Sequence, residues 1–157
     1  MKAVFLDRDG VINEDDGYVY RKEDFHFKEG IFDFLRGLKE YQLFIVTNQS
    51  GIARGYYDEE QFHTLMQWVK EVFLEEGIVI VDIAFCPHHP NITGSCSCRK
   101  PQGGMILSLA EQYGINLSSS LLIGDKQSDI EAGHSAGVGR SFLFTGSFSS
   151  LKKEIEE

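Results

Sequence analysis

The chain is 157 residues long, 42% hydrophobic and 25% charged, which bounds it to one globular domain over residues 1–157, long enough to bury a core without disulfides. A net charge of −9 excludes a general binder of nucleic acid or of anionic membranes, since such surfaces need an excess of Lys and Arg. No apolar run approaches the about 18 residues of a membrane span and no signal-peptide pattern opens the chain, so the expectation is a cytoplasmic monomer.

In chain order, Ala3-Val4-Phe5-Leu6 reads as a buried strand that stops at Asp7-Arg8-Asp9-Gly10. Ile31, Phe34, Leu35 and Leu38 recur at i, i+3, i+4 and i+7, predicting a helix between about Glu29 and Tyr41. Leu43 to Val46 is a second strand, ending at Thr47-Asn48-Gln49-Ser50-Gly51. Asp58 followed by Gln61 has the form of a capping box, and Phe62, Leu65, Met66, Val69 and Phe73 supply the stripe of the helix it starts, closed by Gly77. A third strand runs from Val79 to Phe85, and a loop carrying all three cysteines follows. Ile106, Leu109, Ala110 and Tyr113 mark a further helix, and Leu121-Leu122-Ile123 a fourth strand that stops at Gly124-Asp125. A helix over Ser128 to Ala136 and a strand over Ser141 to Phe144 complete the alternation, leaving Lys152 to Glu157 as a solvated, frayed end. His26, His63 and His134 fall on expected surfaces and Trp68 on a packed helix face, with no chemical role.

Strands alternating with helices predict an α/β three-layer sandwich with a central parallel sheet. In such folds ligands bind beyond the carboxyl ends of the strands, where the strand order reverses. Asp7, Thr47 and Asp125 each close an apolar run. With the order 3-2-1-4-5, Asp7, Asp9, Asp125 and Asp129 converge between the first and fourth strands, and Thr47 arrives from the other side. Arg8, Arg54, Arg99, Lys100 and Lys126 lie in the same loops, giving an acidic chain a local positive site.

Converging carboxylates repel at neutral pH unless a cation lies among them, and Mg²⁺, hard and oxygen-seeking, suits best. Asp7 is then placed to attack phosphorus and form an aspartyl phosphate. Asp9 can protonate the leaving oxygen and later deprotonate water. The Thr47 hydroxyl, the Asn48 backbone N–H and the Lys100 ammonium can hold the phosphoryl oxygens. Arg54 is a candidate for a second, non-reacting phosphate. In the cysteine loop, Cys86 with His88 and Cys96 with Cys98 form a Cys₃His set suited to tetrahedral Zn²⁺, with His89 as a rival ligand that spacing does not exclude. Four protein ligands leave no open position, so such a zinc is structural.

Asp7-x-Asp9-Gly10, the Thr47 to Gly51 turn, Arg99-Lys100-Pro101 and Gly124-Asp125-Lys126-x-x-Asp129 resemble, in order, the four signatures of haloacid-dehalogenase (HAD) superfamily phosphatases. Within that superfamily the chain is similar to the D-glycero-D-manno-heptose-1,7-bisphosphate 7-phosphatase family. The shared segments are Asp15-Asp16-Gly17-Tyr18-Val19, Thr47 through Gly55, Cys86-Pro87-His88-His89-Pro90 and Cys98-Arg99-Lys100-Pro101. The resemblance implies Asp7 as nucleophile and Asp9 as general acid/base, with Mg²⁺ on the Asp7 side chain, the Asp9 backbone carbonyl and Asp125. It places substrate contacts on Asp15, Asp16, Gly17 and Tyr18, on Thr47, Asn48, Gln49 and Ser50, on Arg99 and Lys100, and on Lys126. Asp129 is expected to orient Lys126 or a metal-bound water, and His88 is favoured over His89 as zinc ligand. The intervals between signatures leave no room for a cap domain. A small phosphorylated sugar is the implied partner. Two rivals are histidinol-phosphate phosphatase, which has the same signatures, and a non-enzymatic receiver switch, which accepts phosphate on an Asp after its third strand, where this chain has Phe85-Cys86.

Overall fold

In the computed structural model, which describes residues 1–157, five strands form one parallel sheet in the order β3-β2-β1-β4-β5. They are β1 (Ala3–Leu6), β2 (Gln42–Asn48), β3 (Ile80–Cys86), β4 (Leu121–Gly124) and β5 (Arg140–Leu143). Helices α1 (Ile31–Arg36), α2 (Glu59–Glu75), α3 (Gly104–Tyr113), α4 (Gln127–Ala136) and α5 (Phe148–Glu156) cover its two faces.

All four residues of β1 are fully buried, as a strand covered on both faces requires, which is why it reads as an unbroken apolar run. Its side chains alternate between two cores. Val4 and Leu6 join Leu43, Ile45, Leu121 and Ile123 under α1, α2 and α5. Ala3 and Phe5 join Phe44, Val46 and Leu122 under α3 and α4. The Asp58 carboxylate accepts the Gln61 N–H at 2.8 Å and the Gln61 side chain accepts the Asp58 N–H at 2.9 Å, so the expected capping box starts α2. Leu6 stands level with Ile45 on one side and Ile123 on the other, so Asp7 emerges at the carboxyl edge between β2 and β4.

Two expectations are corrected. The helix expected from Glu29 to Tyr41 is only Ile31–Arg36; beyond Gly37, Leu38 and Tyr41 continue the stripe through successive turns, donating to Leu35 and Leu38 carbonyls. The tail expected to fray is α5. Ser147 caps it by accepting the Ser150 N–H, Leu151 is buried, and Phe148 stacks on Phe34 and Phe144 at 5.0 and 4.5 Å. Arg140 closes its far end, donating to the Glu154 and Ile155 carbonyls at 2.8 and 3.0 Å.

Candidate active site

A cleft of about 490 Å³ opens over the carboxyl ends of β1, β2 and β4. On its floor the buried Lys100 ammonium donates to Asp7 Oδ1 at 3.0 Å and to Asp129 Oδ1 at 2.6 Å. Lys100 reaches this point because its own N–H is anchored on Asn48 Oδ1 at 3.1 Å. Asp129 accepts with its other oxygen the N–H groups of Asp125 and Lys126, both at 3.1 Å, so it fixes the β4–α4 turn and the Lys100 head together. Asp129 thus holds Lys126 by its backbone N–H, while the Lys126 ammonium lies outward, 3.8 Å from Asp15.

Asp9 lines the same cleft but has its own partners. The guanidinium of Arg8, 1% exposed, donates twice to its carboxylate at 3.1 and 2.9 Å and once to the Val19 carbonyl at 2.7 Å. Asn13 Nδ2 and Gln49 Nε2 add donors at 3.0 and 3.2 Å. Gln49 in turn donates to the Thr47 hydroxyl at 2.9 Å and accepts from the buried Tyr57 hydroxyl. Burial, with the Asp9 charge nearby outweighed in part by Arg8, pushes Tyr57 up to about 12, so it stays a neutral donor.

The carboxylate oxygens of Asp7, Asp125 and Asp129 lie within 4.8 Å of one another. Asp125 Oδ1 is buried without a partner, although such atoms are almost always satisfied. Burial pushes Asp7 up to about 8; Lys100 pulls it down and Asp129 pushes it further up. An orphaned oxygen and a carboxylate that one ammonium does not keep ionised fit a second cation at this spot, with hard oxygen donors. Gly10, at φ 94°, makes the approach feasible, since a β-carbon there would collide with the Asp125 carboxylate.

Below the cleft edge, four soft donors face one another. Cys86 Sγ is 3.6 Å from Cys96 Sγ and from His88 Nδ1, which is 3.2 Å from Cys98 Sγ; the Cys96 and Cys98 sulfurs are 3.5 Å apart. Tetrahedral zinc bonds place ligand atoms about 3.5–3.8 Å apart, so the set can hold one such ion with little movement. Burial pushes the Cys86 and Cys98 thiols up. Cys96, against the same desolvation, is drawn down to about 6 by the Arg99 N–H and its neighbouring thiols. His89 points elsewhere, its Nδ1 accepting the Asn91 N–H and its Nε2 meeting Arg54.

The comparisons with known proteins agree with this geometry. Residues 97–156 match the model of a HAD-hydrolase-like family. The chain is 46% identical to D-glycero-alpha-D-manno-heptose-1,7-bisphosphate 7-phosphatase of Campylobacter jejuni, over 99% of this chain and 92% of that one. It is 48% identical to the corresponding beta-heptose enzyme of Helicobacter pylori strain 26695, over 90% and 83%. The chain belongs to the heptose-1,7-bisphosphate 7-phosphatase family of HAD-like phosphatases. Its fold also matches the crystal structure of D,D-heptose 1,7-bisphosphate phosphatase from B. bronchiseptica complexed with magnesium and phosphate, with TM-score 0.85, 27% identity, and coverage of 99% and 98%.

Of the residues singled out by this family's motifs, Asp7, Asp9, Asp15, Gly17, Tyr18, Asn48, Gln49, Ser50, Arg99, Lys100 and Lys126 line the cleft, with Asp129 on its floor. Thr47 is buried beneath it, and its hydroxyl serves Gln49. Asp16 and Arg54 are exposed outside it; Arg54 lies over the Tyr18 ring at 5.9 Å. Sequence reading missed Arg8 as the clamp on Asp9 and Tyr57 as the support of Gln49. Arg8 stands between two aspartates in sequence, a hint of an ion pair that does not say with which of them. Nothing in sequence marked Tyr57, which pairs with Gln49 through a turn held tight by Gly51, where a β-carbon would strike the Tyr57 ring.

Proposed function

We propose that this chain removes the C7 phosphate of D-glycero-D-manno-heptose 1,7-bisphosphate through a covalent aspartyl phosphate. The observation that carries the proposal is the floor of the cleft, where Asp7 meets Lys100 beside an Asp125 oxygen that lacks any partner. Asp7 attacks phosphorus, the ester bond to the sugar oxygen breaks, and Asp9 delivers a proton to that oxygen. In the second half Asp9 takes a proton from water, which attacks the phosphorus of the aspartyl phosphate and frees Asp7 and inorganic phosphate. Lys100, already turned to Asp7, neutralises the phosphoryl oxygens as charge develops. Mg²⁺, held by the Asp7 side chain, the Asp9 backbone carbonyl and Asp125, would keep Asp7 ionised and screen it from the incoming phosphate.

The two oxygens of Asp9 accept four hydrogen bonds from Arg8, Asn13 and Gln49, so to act as an acid it must release at least one of them to carry the proton. Arg8 also holds the Val19 carbonyl, at the end of the loop carrying Asp15, Gly17 and Tyr18, so that loop and the acid share one support. Zn²⁺ on Cys86, His88, Cys96 and Cys98 would brace the segment leading to Arg99 and Lys100. Asp15, Asp16, Tyr18, Ser50, Arg99 and Lys126 are the proposed sugar and phosphate contacts, with Arg54 reserved for the second phosphate.

Phosphate release measured on heptose 1,7-bisphosphate and on histidinol phosphate, with Mg²⁺ added or withheld, tests the reading. Mg²⁺-dependent turnover of the bisphosphate is expected, lost by about 10³-fold or more in Asp7→Asn. An Asp7→Asn protein as fast as the parent, or preference for histidinol phosphate, contradicts it.

A further inference from the structure

Beside the cleft, a guanidinium and an imidazole nitrogen meet at hydrogen-bond distance. Arg54 Nη2 lies 3.1 Å from His89 Nε2. The His89 ring is not free to adjust, because its Nδ1 accepts the Asn91 N–H at 3.1 Å, and flipping the ring would set a carbon against that N–H. The backbone around it is equally fixed: Thr93 Oγ1 accepts the His89 N–H at 2.9 Å, and the Thr93 N–H returns to the His89 carbonyl at 2.8 Å. With Nδ1 accepting, the neutral ring carries its proton on Nε2 and points it at a guanidinium that can only donate. In the other tautomer Nε2 satisfies Arg54, but Nδ1–H then opposes the Asn91 N–H. Either tautomer leaves one of these exposed donors to solvent.

An anion reached by both the Arg54 guanidinium and the Nε2–H would accept from each. The surroundings favour an anion. Arg99 is bonded to the carbonyl of His88 at 3.2 Å, beside His89, and Tyr18, which lines the cleft, carries the Arg54 guanidinium over its ring. Two guanidinium groups and a directed imidazole N–H therefore border one exposed point next to the cleft, and no carboxylate is bonded to any of the three. A phosphate, with several acceptor oxygens and charge to match, suits that set better than a sugar hydroxyl.

We propose that His89, with Arg54, receives the phosphate that is not hydrolysed, an assignment that rests on a bisphosphate being the substrate. His89 is then a specificity residue, and the loop between Cys86 and Cys96 contributes a ligand contact as well as metal donors. It also explains why two adjacent histidines do different work: His88 turns to the sulfurs and His89 to the cleft rim.

The test compares kcat/KM for heptose 1,7-bisphosphate with that for heptose 7-phosphate in the parent, His89→Ala and His89→Gln proteins, with bound metal measured in each. Loss of one hydrogen bond to a charged group lowers the bisphosphate-to-monophosphate ratio by about tenfold in His89→Ala, chiefly through KM. The Gln amide, which can present an N–H near the Nε2 position, restores most of it. A ratio unmoved in His89→Ala, or His89→Gln as defective as His89→Ala, overturns the assignment. Should His89→Ala lose its metal, Arg54→Ala carries the same comparison, and an unmoved ratio there overturns it too. A parent protein inert on the bisphosphate brings down the substrate reading itself; an active parent with an even-handed His89→Ala brings down the assignment alone.

Discussion

Asp7, the proposed nucleophile, answers two demands that pull its proton in opposite directions. A nucleophile must be ionised, yet burial favours the protonated acid and pushes Asp7 from 3.8 up to about 8, against the pull of Lys100. The folded metal-free protein thus holds this proton up to about pH 8, whereas the unfolded chain releases it near 4. The sign follows from linkage: the contribution of Asp7 to stability is fully present below about pH 4 and is lost as pH rises through about 8. Thermal unfolding of metal-stripped protein across that window is expected to show a falling melting temperature attributable to Asp7, a slope that Mg²⁺ flattens and that Asp7→Asn removes. A slope identical in the parent and Asp7→Asn proteins argues that the site needs no second cation. Residue-level signals of this kind were legible in sequence, because an aspartate ending a buried strand is costly unless chemistry requires it. What was not legible is direction. Asp9 and Arg8 adjoin Asp7, but only coordinates reveal that they pair with each other and face Val19.

Among the elements, the loop from Cys86 to Cys98 has little apolar content, so its shape depends on the cluster of sulfurs and His88. Lys100 is tied down separately by Asn48, Asp7 and Asp129. Chelation, or Cys96→Ser, is therefore expected to raise amide hydrogen exchange over residues 87–98 and to raise KM while leaving kcat within a fewfold range; an unchanged KM in a folded, metal-free protein contradicts this. At the opposite pole α5 owes its order to Leu151, 2% exposed, and to the Phe148 stack. Leu151→Ala should cost about 2–4 kcal/mol in urea unfolding without altering kcat/KM, because α5 touches no cleft residue. This helix escaped sequence reading because its apolar residues, Phe148, Leu151 and Ile155, are diluted by Lys152, Lys153, Glu154 and Glu156. The stripe has helical spacing, but the charges dominate any local average. By contrast, α2 advertised itself through a long stripe and a capping box, two signals that point the same way.

At the scale of the molecule, strand order was legible because three of the apolar runs end in Asp7, Thr47 and Asp125, and an order with β1 central gathers those ends. The gathering of basic residues around the cleft of a chain of net charge −9 was likewise visible from where they fall in the sequence. The cleft's boundaries were not, since pairs such as Asp15 with Lys126 and Arg54 with His89 join segments far apart in the chain. That same long reach governs how the molecule is made. Of the five strands, the earliest in the chain is the middle of the sheet, and its edge toward β4 stays bare until residues 121–124 have been synthesised. Asp7 waits 93 residues for Lys100 and longer still for Asp125. A chain that stops short of Asp125 therefore carries the proposed nucleophile without its full set of partners, and the proposed chemistry waits for β4 to dock.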